Sequence, residues 1–303
     1  MASTEQFDVL GFGYAVVDEL LFVDGYPAPD SKTPVNDRIV AVGGLTAAAL
    51  IAASRLGGRC AYAGVLGPDA ASRIILDVLE QEGIDRRHVR QLDHARAVCA
   101  SIIVDTSDKT RTILYDKRGA VAPSAVMIDS ELVHSTKVLF VDHHGIDGMT
   151  RAAELARQAG IPVVADFERA GVPGLDALTA LVDHLILPAH FAFELTDKTD
   201  PRDAVMALLP GREVAVVTCG SDGGWYAGAA TGGPVPYDAF VVDAVDTTGC
   251  GDVFHGAYAW ALATGHDLTS CIRYAAAAAA LKATTAGGHR AIPTRAAVEQ
   301  LLR

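Results

Sequence analysis

The sequence predicts an α/β fold in which a doubly wound, mostly parallel sheet carries a small β-sheet lid. In the second half of the chain, short apolar strands such as Val138–Val141, Pro162–Ala165 and His184–Leu187 alternate with amphipathic helices. That alternation is typical of a parallel sheet covered by helices on both faces. Residues 14–42 instead contain β-like runs separated by prolines, and we expect the β-rich stretch 97–116 to pair with them as the lid.

The other elements follow from local patterns. Phe7–Gly13 is apolar and ends in glycines, which predicts a buried first strand, and Thr46–Leu56 is an alanine-rich helix followed by a glycine pair. Met149–Gln158 has helical periodicity, and Glu213–Thr218 is a further strand. Ligands of such folds bind at the carboxyl ends of the strands, so we expect the functional site there.

Composition bounds the class of protein. The 303 residues are 50% hydrophobic, enough for one large domain, 1–303, with a smaller appendage. A net charge of -12 argues against a protein that coats nucleic acid or an anionic membrane. The five cysteines form no paired motif, and the start of the chain lacks the order of a signal peptide. We therefore expect a cytoplasmic protein with reduced thiols that binds neither nucleic acid nor membrane.

The strongest functional signal is the segment Phe240–Asp252, which predicts a strand, a glycine turn and the start of a helix. Backbone N–H groups of Gly249, Cys250 and Gly251 would point at an anion at the positive end of that helix. Asp252 in the first turn would then accept the proton of an attacking hydroxyl during phosphoryl transfer. The alternative is that Gly249–Gly251 is only a tight turn and that Asp252 only complements the helix dipole.

The run Asp246–Asp252 resembles the second signature of the ribokinase, or PfkB, family of carbohydrate kinases, and the resemblance extends over nearly the whole chain. Cys250 stands where that signature has alanine. The resemblance implies a ribokinase-like fold and an ATP-dependent sugar kinase, a phosphotransferase with an alcohol group as acceptor. Asp252 would be its general base, with Gly249, Cys250 and Gly251 as its anion hole.

A second group of residues resembles the sugar-binding side of the family. Asp18 follows the first strand, and Gly43 and Gly44 precede the first major helix. Carboxylates accept hydrogen bonds from vicinal hydroxyls, and glycines admit a ligand to the backbone. Ribokinase has an asparagine four residues after the second glycine, whereas this chain has Ala48, so ribose is not implied as the acceptor.

The resemblance also implies a nucleotide site. Thr218, Gly220 and Gly223 match a loop of the family near the ATP phosphates and ribose, and Thr247 belongs to the phosphate signature. Lys282 and Gly287 match a segment that flanks adenine in the family and helps to form a site for a monovalent cation such as K⁺. Asp246 is a further candidate ligand of that cation. Helix packing alone would give the same alanine-rich composition around Lys282.

Magnesium is the implied metal cofactor. Much of the family carries an asparagine and a glutamate three residues apart that organise Mg²⁺ through water. Here Ala189 replaces the asparagine, and the nearest acid is Glu194. Because Mg²⁺ keeps its waters, Glu194 remains a candidate outer ligand, with an ordinary helix-surface acid as the alternative.

Several other polar residues invite a role. Asp142 ends a predicted strand and is a candidate sugar contact. His143 and His144 follow it, and adjacent side chains on a strand point to opposite faces, which argues against joint chelation. His255 lies one turn beyond Asp252 and is interpreted as a packing or capping residue.

Basic residues collect in or beside the predicted lid. They are Lys32, Arg111, Lys117 and Arg118. Each alone is typical of a solvated surface. Together they support the hypothesis that Lys32 and Arg111 bind an anionic end of the substrate, as the sulfofructose kinases and ketohexokinases of the family suggest.

Four other interpretations compete with this one. A Rossmann dehydrogenase would need a third glycine where Val16 stands, and the P-loop motif is absent from the sequence. A nucleoside kinase of the same family would use aromatic lid residues, for which Phe22, Tyr26 and Tyr115 are candidates. A catalytically weak sensor would explain Ala48 and Ala189. An exposed lid edge also favours a homodimer formed through the lid.

Overall fold

The computed structural model describes residues 6–108 and 110–303. Residues 1–5, on which the expectation of no signal peptide rests, and Lys109, within the predicted lid stretch, lie outside the described residues. Among the described residues the fourteen strands, in chain order, are these: β1 Phe7–Phe12, β2 Val16–Val23, β3 Asp37–Gly43, β4 Cys60–Tyr62, β5 Val65–Leu66, β6 Arg90–Gln91, β7 Val98–Asp105, β8 Thr110–Asp116, β9 Thr136–Asp142, β10 Val163–Asp166, β11 His184–Pro188, β12 Val214–Thr218, β13 Gly224–Gly228 and β14 Val235–Tyr237.

The helices of the same residues alternate with the strands of the main sheet. They are α1 Leu45–Arg55, α2 Ala70–Gln81, α3 Ser130–His134, α4 Ile146–Gln158, α5 Leu175–Thr179, α6 Ala189–Thr196, α7 Pro201–Leu208, α8 Cys250–Ala263, α9 Leu268–Ala283 and α10 Arg295–Leu302. No helix in the described part of the chain is both long enough and apolar enough to cross a bilayer.

The main sheet has eight strands in the order β14-β13-β12-β11-β10-β9-β1-β4. The pairs from β12 to β4 are parallel, and only β13 and β14 run antiparallel to their neighbours at one edge. One apolar cluster packs α1, α8 and α9 on one face, and a second packs α4 and α7 on the other. The predicted doubly wound sheet is therefore confirmed.

The lid is a separate four-stranded sheet in the order β3-β2-β7-β8. Strand β2 pairs antiparallel with β3 and parallel with β7, so the two β-rich stretches of the sequence meet as predicted. A small cluster of Leu20, Ala41, Ala100 and Ile102 buries one face of this sheet. Strand β8 forms the open edge, and six of its seven residues are exposed.

The strand predicted at Phe240 is wrong. Strand β14 ends at Tyr237, and residues 238–244 contain no strand. Val241, in the middle of this segment, is 99% exposed. The segment is fastened to the end of α9 instead, where the N–H groups of Val245 and Asp246 both donate to the carbonyl of Ala283 at 2.7 and 3.0 Å. The apolar run predicted a buried strand, whereas the structure uses it as an extended connection into the glycine turn.

Candidate active site

A cavity of about 410 Å³ lies between the lid and the carboxyl ends of the main sheet. Many residues singled out from the sequence line it, among them Asp18, Gly44, Arg111, Thr247, Gly249, Gly251 and Asp252. The lid, the first helix and the glycine turn therefore meet at one place. Residues that sequence reasoning missed complete the lining, among them Tyr14, Thr248, Glu168 and Arg169.

The glycine turn enters α8 with the geometry of an anion site. Gly249 is the N-cap with φ 77°, a left-handed conformation that favours glycine. The first helical bond runs from the N–H of Val253 to the carbonyl of Gly249 at 3.0 Å, so the N–H groups of Gly251 and Asp252 have no helical acceptor. The N–H of Cys250 differs, since it donates to the carbonyl of Thr247 at 3.3 Å.

Asp252 lies in the first turn of α8 at the wall of the cavity. Burial raises its pKa well above the ordinary value, and the nearby carboxylates of Asp166, Glu168 and Asp18 raise it further. A carboxylate that holds a proton more tightly than usual is a better proton acceptor near neutral pH. Burial also raises the pKa of the Cys250 thiol, to about 11, so that thiol stays protonated beside the turn.

The sugar-binding side predicted from the sequence is compact. Asp18 in β2 lines the cavity, and burial raises its pKa to about 7. A side chain at Gly43 would collide with the Asp18 carboxylate, and Gly44, at φ 89°, is the N-cap of α1. The two glycines thus let the Asp18 carboxylate and the start of α1 approach each other. Ala48 is buried within α1.

Asp142 is placed differently from the prediction. Its side chain is fully buried and is not among the residues that line the cavity. It accepts hydrogen bonds from the N–H of Tyr14 at 2.8 Å, the hydroxyl of Thr46 at 2.9 Å and the N–H of His144 at 2.7 Å. All these donors belong to the protein, so Asp142 fixes the loops around the site and has no exposed atom for a sugar.

The two histidines after Asp142 also depart from expectation. Strand β9 ends at Asp142, so His143 and His144 lie in a bend and their rings lie side by side, with centroids 4.2 Å apart. Tyr14 stacks on His144 at 4.3 Å. Both histidines line the cavity, and burial lowers the pKa of His143 to about 4. The described residues contain no group of three or more His, Cys, Asp or Glu side chains fit to hold a metal ion.

The predicted nucleotide loop lies at the end of β12. Thr218 is its last residue, Gly220 begins a 3₁₀ turn, and Gly223 has φ 73°. A side chain at Gly223 would strike the carbonyl of Tyr237, so this turn closes against β14. A cavity of about 330 Å³ lies beside that strand and α9, lined in part by Tyr237, Phe240 and Ala276.

The tail after α9 is built around a buried lysine. Lys282 is 1% exposed, and its ammonium lies 3.4 Å from the carbonyl oxygen and 3.6 Å from a carboxylate oxygen of Asp246. The other carboxylate oxygen of Asp246 accepts from the N–H of Thr248 at 2.9 Å. Gly287 follows with φ 133°, and His289 accepts from the N–H of Val42 in the lid at 2.9 Å. Lys282 and Asp246 therefore contact each other.

Among the predicted residues that do not line the cavity are two that are exposed at the protein surface. Lys32 is exposed in the connection from β2 to β3, and Glu194 is exposed on α6. Of the predicted basic group, Arg111 and Lys117 do line the cavity, and Arg111 contacts the hydroxyl of Thr247 at 3.4 Å. Arg118 instead pairs with Asp116 at 2.6 Å.

The site combines a lid, an anion-binding turn at Gly249 and Gly251, and the buried carboxylate of Asp252. This combination on an α/β sheet is typical of a phosphotransferase. The comparison of the chain with family models agrees, since residues 6–295 match the pfkB family carbohydrate kinase model. The chain belongs to that family, and its reaction class is phosphoryl transfer to an alcohol group.

Individual relatives differ in their sugars. The chain is 28% identical to a ribokinase of Haemophilus influenzae over 92% of each chain. It is 27% identical to a probable fructokinase-4 of Arabidopsis thaliana, covering 97% of this chain and 96% of the relative. A solved structure from Agrobacterium tumefaciens superposes with a TM-score of 0.90 at 28% identity, covering 97% of each chain.

Proposed function

We propose that the protein, as a single kinase domain, transfers the γ-phosphoryl group of ATP to a hydroxyl of a small sugar, with Asp252 as general base. One observation carries the proposal. Asp252 and the anion turn at Gly249 and Gly251 share a cavity with Asp18 and Gly44 from the sugar side. A hydroxyl held by Asp18 would thus lie within the same enclosed space as the proton acceptor and the anion turn.

Each residue of the site has a separate role in the proposed reaction. Asp18 and the backbone at Gly44 orient the sugar, and Asp252 accepts the hydroxyl proton as the oxygen attacks. The N–H groups of Gly251 and Asp252, at the positive end of α8, stabilise the charge on the moving phosphoryl group. Arg111, which contacts Thr247, adds a positive charge from the lid side.

The nucleotide would occupy the surface from Thr218 to Gly223. The adenine fits the adjoining cavity, where Tyr237, Phe240 and Ala276 supply flat and small apolar surfaces. Ala276 belongs to the alanine-rich helix that the sequence associates with adenine.

Magnesium fits this site as an ion held mainly by ATP. Mg²⁺ in kinases keeps several waters and takes few protein ligands, which agrees with the lack of a three-ligand cluster in the described residues. We propose Glu194 as an outer ligand that would reach the ion only through water, since it is exposed on α6 and lines neither cavity. The ion would neutralise charge on the phosphate oxygens.

A potassium ion against the Asp246 carboxylate does not fit, because the Lys282 ammonium occupies that side. We propose that Lys282 serves there as a built-in cation.

The acceptor we propose is a sugar with an anionic substituent. Of the two predicted anion contacts, Arg111 lines the cavity and Lys32 does not, and Lys117 and Arg169 line it beside Arg111. We therefore propose Arg111, Lys117 and Arg169 as the anion contacts. We expect Arg111→Ala to lower kcat/KM for an acidic sugar roughly 10- to 100-fold more than for its neutral analogue, since a hydrogen bond to a charged group is lost. Arg118→Ala, which removes an exposed lid charge paired with Asp116, is the matched control. Equal losses for both sugars would refute the anionic preference.

The nucleoside-kinase alternative finds less support. Of its three aromatic candidates only Tyr115 lines the cavity, while Phe22 packs within the lid and Tyr26 is 56% exposed.

Release of ADP across a panel of neutral sugars, acidic sugars and nucleosides tests the function directly. We expect turnover with sugars and the fastest rate with an acidic one. A sensor would instead show ligand-dependent thermal shifts without ADP release, and preferred turnover of nucleosides would assign the alternative. ATP as donor and the five free cysteines fit a cytoplasmic enzyme.

We further propose a homodimer formed through the lid. The open edge strand β8 exposes Leu114 at 56% and Tyr115 at 60%, and an uncovered apolar edge strand favours pairing with another chain. Leu114→Asp is expected to give monomers by light scattering at concentrations where the parent is dimeric. A monomeric parent at high concentration would exclude this assembly.

A further inference from the structure

His255 lies under the anion turn with both ring nitrogens against carbonyl oxygens. Nδ1 is 2.8 Å from the carbonyl oxygen of Gly251, and Nε2 is 3.0 Å from that of Ile186. A carbonyl oxygen can only accept, and a neutral imidazole has a single N–H. In a neutral ring one of these contacts would bring two lone pairs together, so both contacts are satisfied only when the ring carries two N–H groups.

A counter-charge for that form lies beside the ring. Asp166, at the end of β10, is 3% exposed, and its Oδ2 lies 3.3 Å from Nδ1 of His255. This oxygen has no hydrogen-bond partner among the described residues, so its contact with the ring is electrostatic. Placing one proton on the ring leaves Asp166 ionised and the pair neutral overall, so the buried pair is charge-compensated.

We propose that His255 is an imidazolium paired with Asp166, and that it is a positioning residue for Asp252. The inference rests on the proposed role of Asp252 as base. The ring donates to the carbonyl of Gly251, whose peptide bond also contains the N–H of Asp252. Because that peptide is planar and trans, holding its carbonyl toward His255 points its N–H the opposite way, toward the phosphoryl group.

The charge of the ring acts on the same residue. Five carboxylates face this region: Asp166 at the end of β10, Glu168 just after it, Asp252 on α8, Asp142 at the end of β9 and Asp18 in the lid. Phe140 and Phe254 enclose the ring edge-on, with centroids 6.4 Å away. One imidazolium among these carboxylates favours the ionised form of Asp252, which is the form that accepts a proton.

Burial lowers the pKa of the imidazole below its ordinary value, although the two carbonyl contacts and the Asp252 and Glu168 carboxylates act in the opposite direction. Burial likewise raises the pKa of Asp166 well above its ordinary value. The short carbonyl contacts decide between these effects, because the neutral ring cannot satisfy both.

Nuclear magnetic resonance of the parent protein with ¹⁵N-labelled histidine tests the charge state without any assay of turnover. We expect His255, assigned through contacts with the rings of Phe140 and Phe254, to show two protonated ring nitrogens at pH 7.5. A single protonated nitrogen would overturn the proposal, whether or not the protein is a sugar kinase.

The kinetic test is the pH profile of His255→Gln, which keeps a side-chain donor and removes the charge. We expect kcat/KM to fall roughly ten-fold at pH 6.5 and to return within about two-fold of the parent at pH 9, because Asp252 is then ionised without help. Tyr258→Phe, which removes a buried bond from the same helix to His184, should leave the profile unshifted. A loss of equal size at every pH would mean that His255 acts only by packing, and would overturn the electrostatic role.

Discussion

Asp252→Asn should lower turnover roughly 10²- to 10⁴-fold while ATP still binds, because general base catalysis contributes about that much to such reactions. Asparagine keeps the shape of the side chain at the start of α8 but cannot accept the hydroxyl proton. Steady-state release of ADP and a calorimetric titration with ATP measure the two effects separately. Asp243→Asn, an exposed acid in the segment before the turn, is the matched control.

The same substitution should not destabilise the fold. The pKa of Asp252 is raised in the folded protein, so the ionised side chain is disfavoured there relative to the unfolded chain. A neutral asparagine escapes that penalty, and the melting temperature at pH 8 should equal or exceed that of the parent. Near-normal turnover would refute the base assignment, and loss of ATP binding would mean that the anion turn itself had collapsed.

The pH dependence of the parent follows from the same shift. Since Asp252 must be ionised to accept a proton, kcat/KM should fall as the pH drops through its raised pKa, well above the range of an ordinary aspartate. Protonation of Asp18, with a pKa raised to about 7, should weaken sugar binding over an overlapping range. The acidic limb is therefore expected to be steeper than a single ionisation.

Regular elements could be predicted from the sequence because their signals are local. The alternation of apolar strands and helices fixed β9 to β12 within a few residues, and the prolines around Lys32 separated the two lid strands that bracket it. The strand at Phe240 failed because an apolar run does not reveal which partner satisfies its backbone. Here the N–H groups of Val245 and Asp246, at the end of that segment, donate to the carbonyl of Ala283, which lies 38 and 37 residues further along the chain.

Site residues could be predicted from the sequence where the chemistry and the backbone conformation both require a particular residue type, as at Gly249 and Asp252. They could not be predicted where a residue's role depends on contacts with residues distant in the sequence. Asp142 looks like a ligand contact in sequence, and only its three protein donors show that it is buried structure. Asp166 could have been found, because an acid directly after an apolar strand lies at the functional edge of a parallel sheet. Its pairing with His255 needed the fold.

Lys282→Met should produce the second large effect, on stability and on the anion turn together. The ammonium is 1% exposed, and its removal leaves the Asp246 carboxylate buried with the N–H of Thr248 as its remaining hydrogen-bond donor. Loss of one partner from a buried ion pair costs about 3–5 kcal/mol. We expect a clearly lower free energy of unfolding in urea, and a higher KM for ATP because Asp246 begins the turn that binds phosphate.

The companion variants identify the cause. Lys282→Met combined with Asp246→Asn removes both charges and should recover much of the stability, since no uncompensated charge remains buried. Potassium or ammonium ions should raise the activity of Lys282→Met by filling the space beside Asp246, whereas tetramethylammonium is too large to enter. The parent, which already has a cation there, should respond equally to all three salts. A parent that requires potassium, or a Lys282→Met variant as stable and active as the parent, would show that Lys282 is not the built-in cation of this turn.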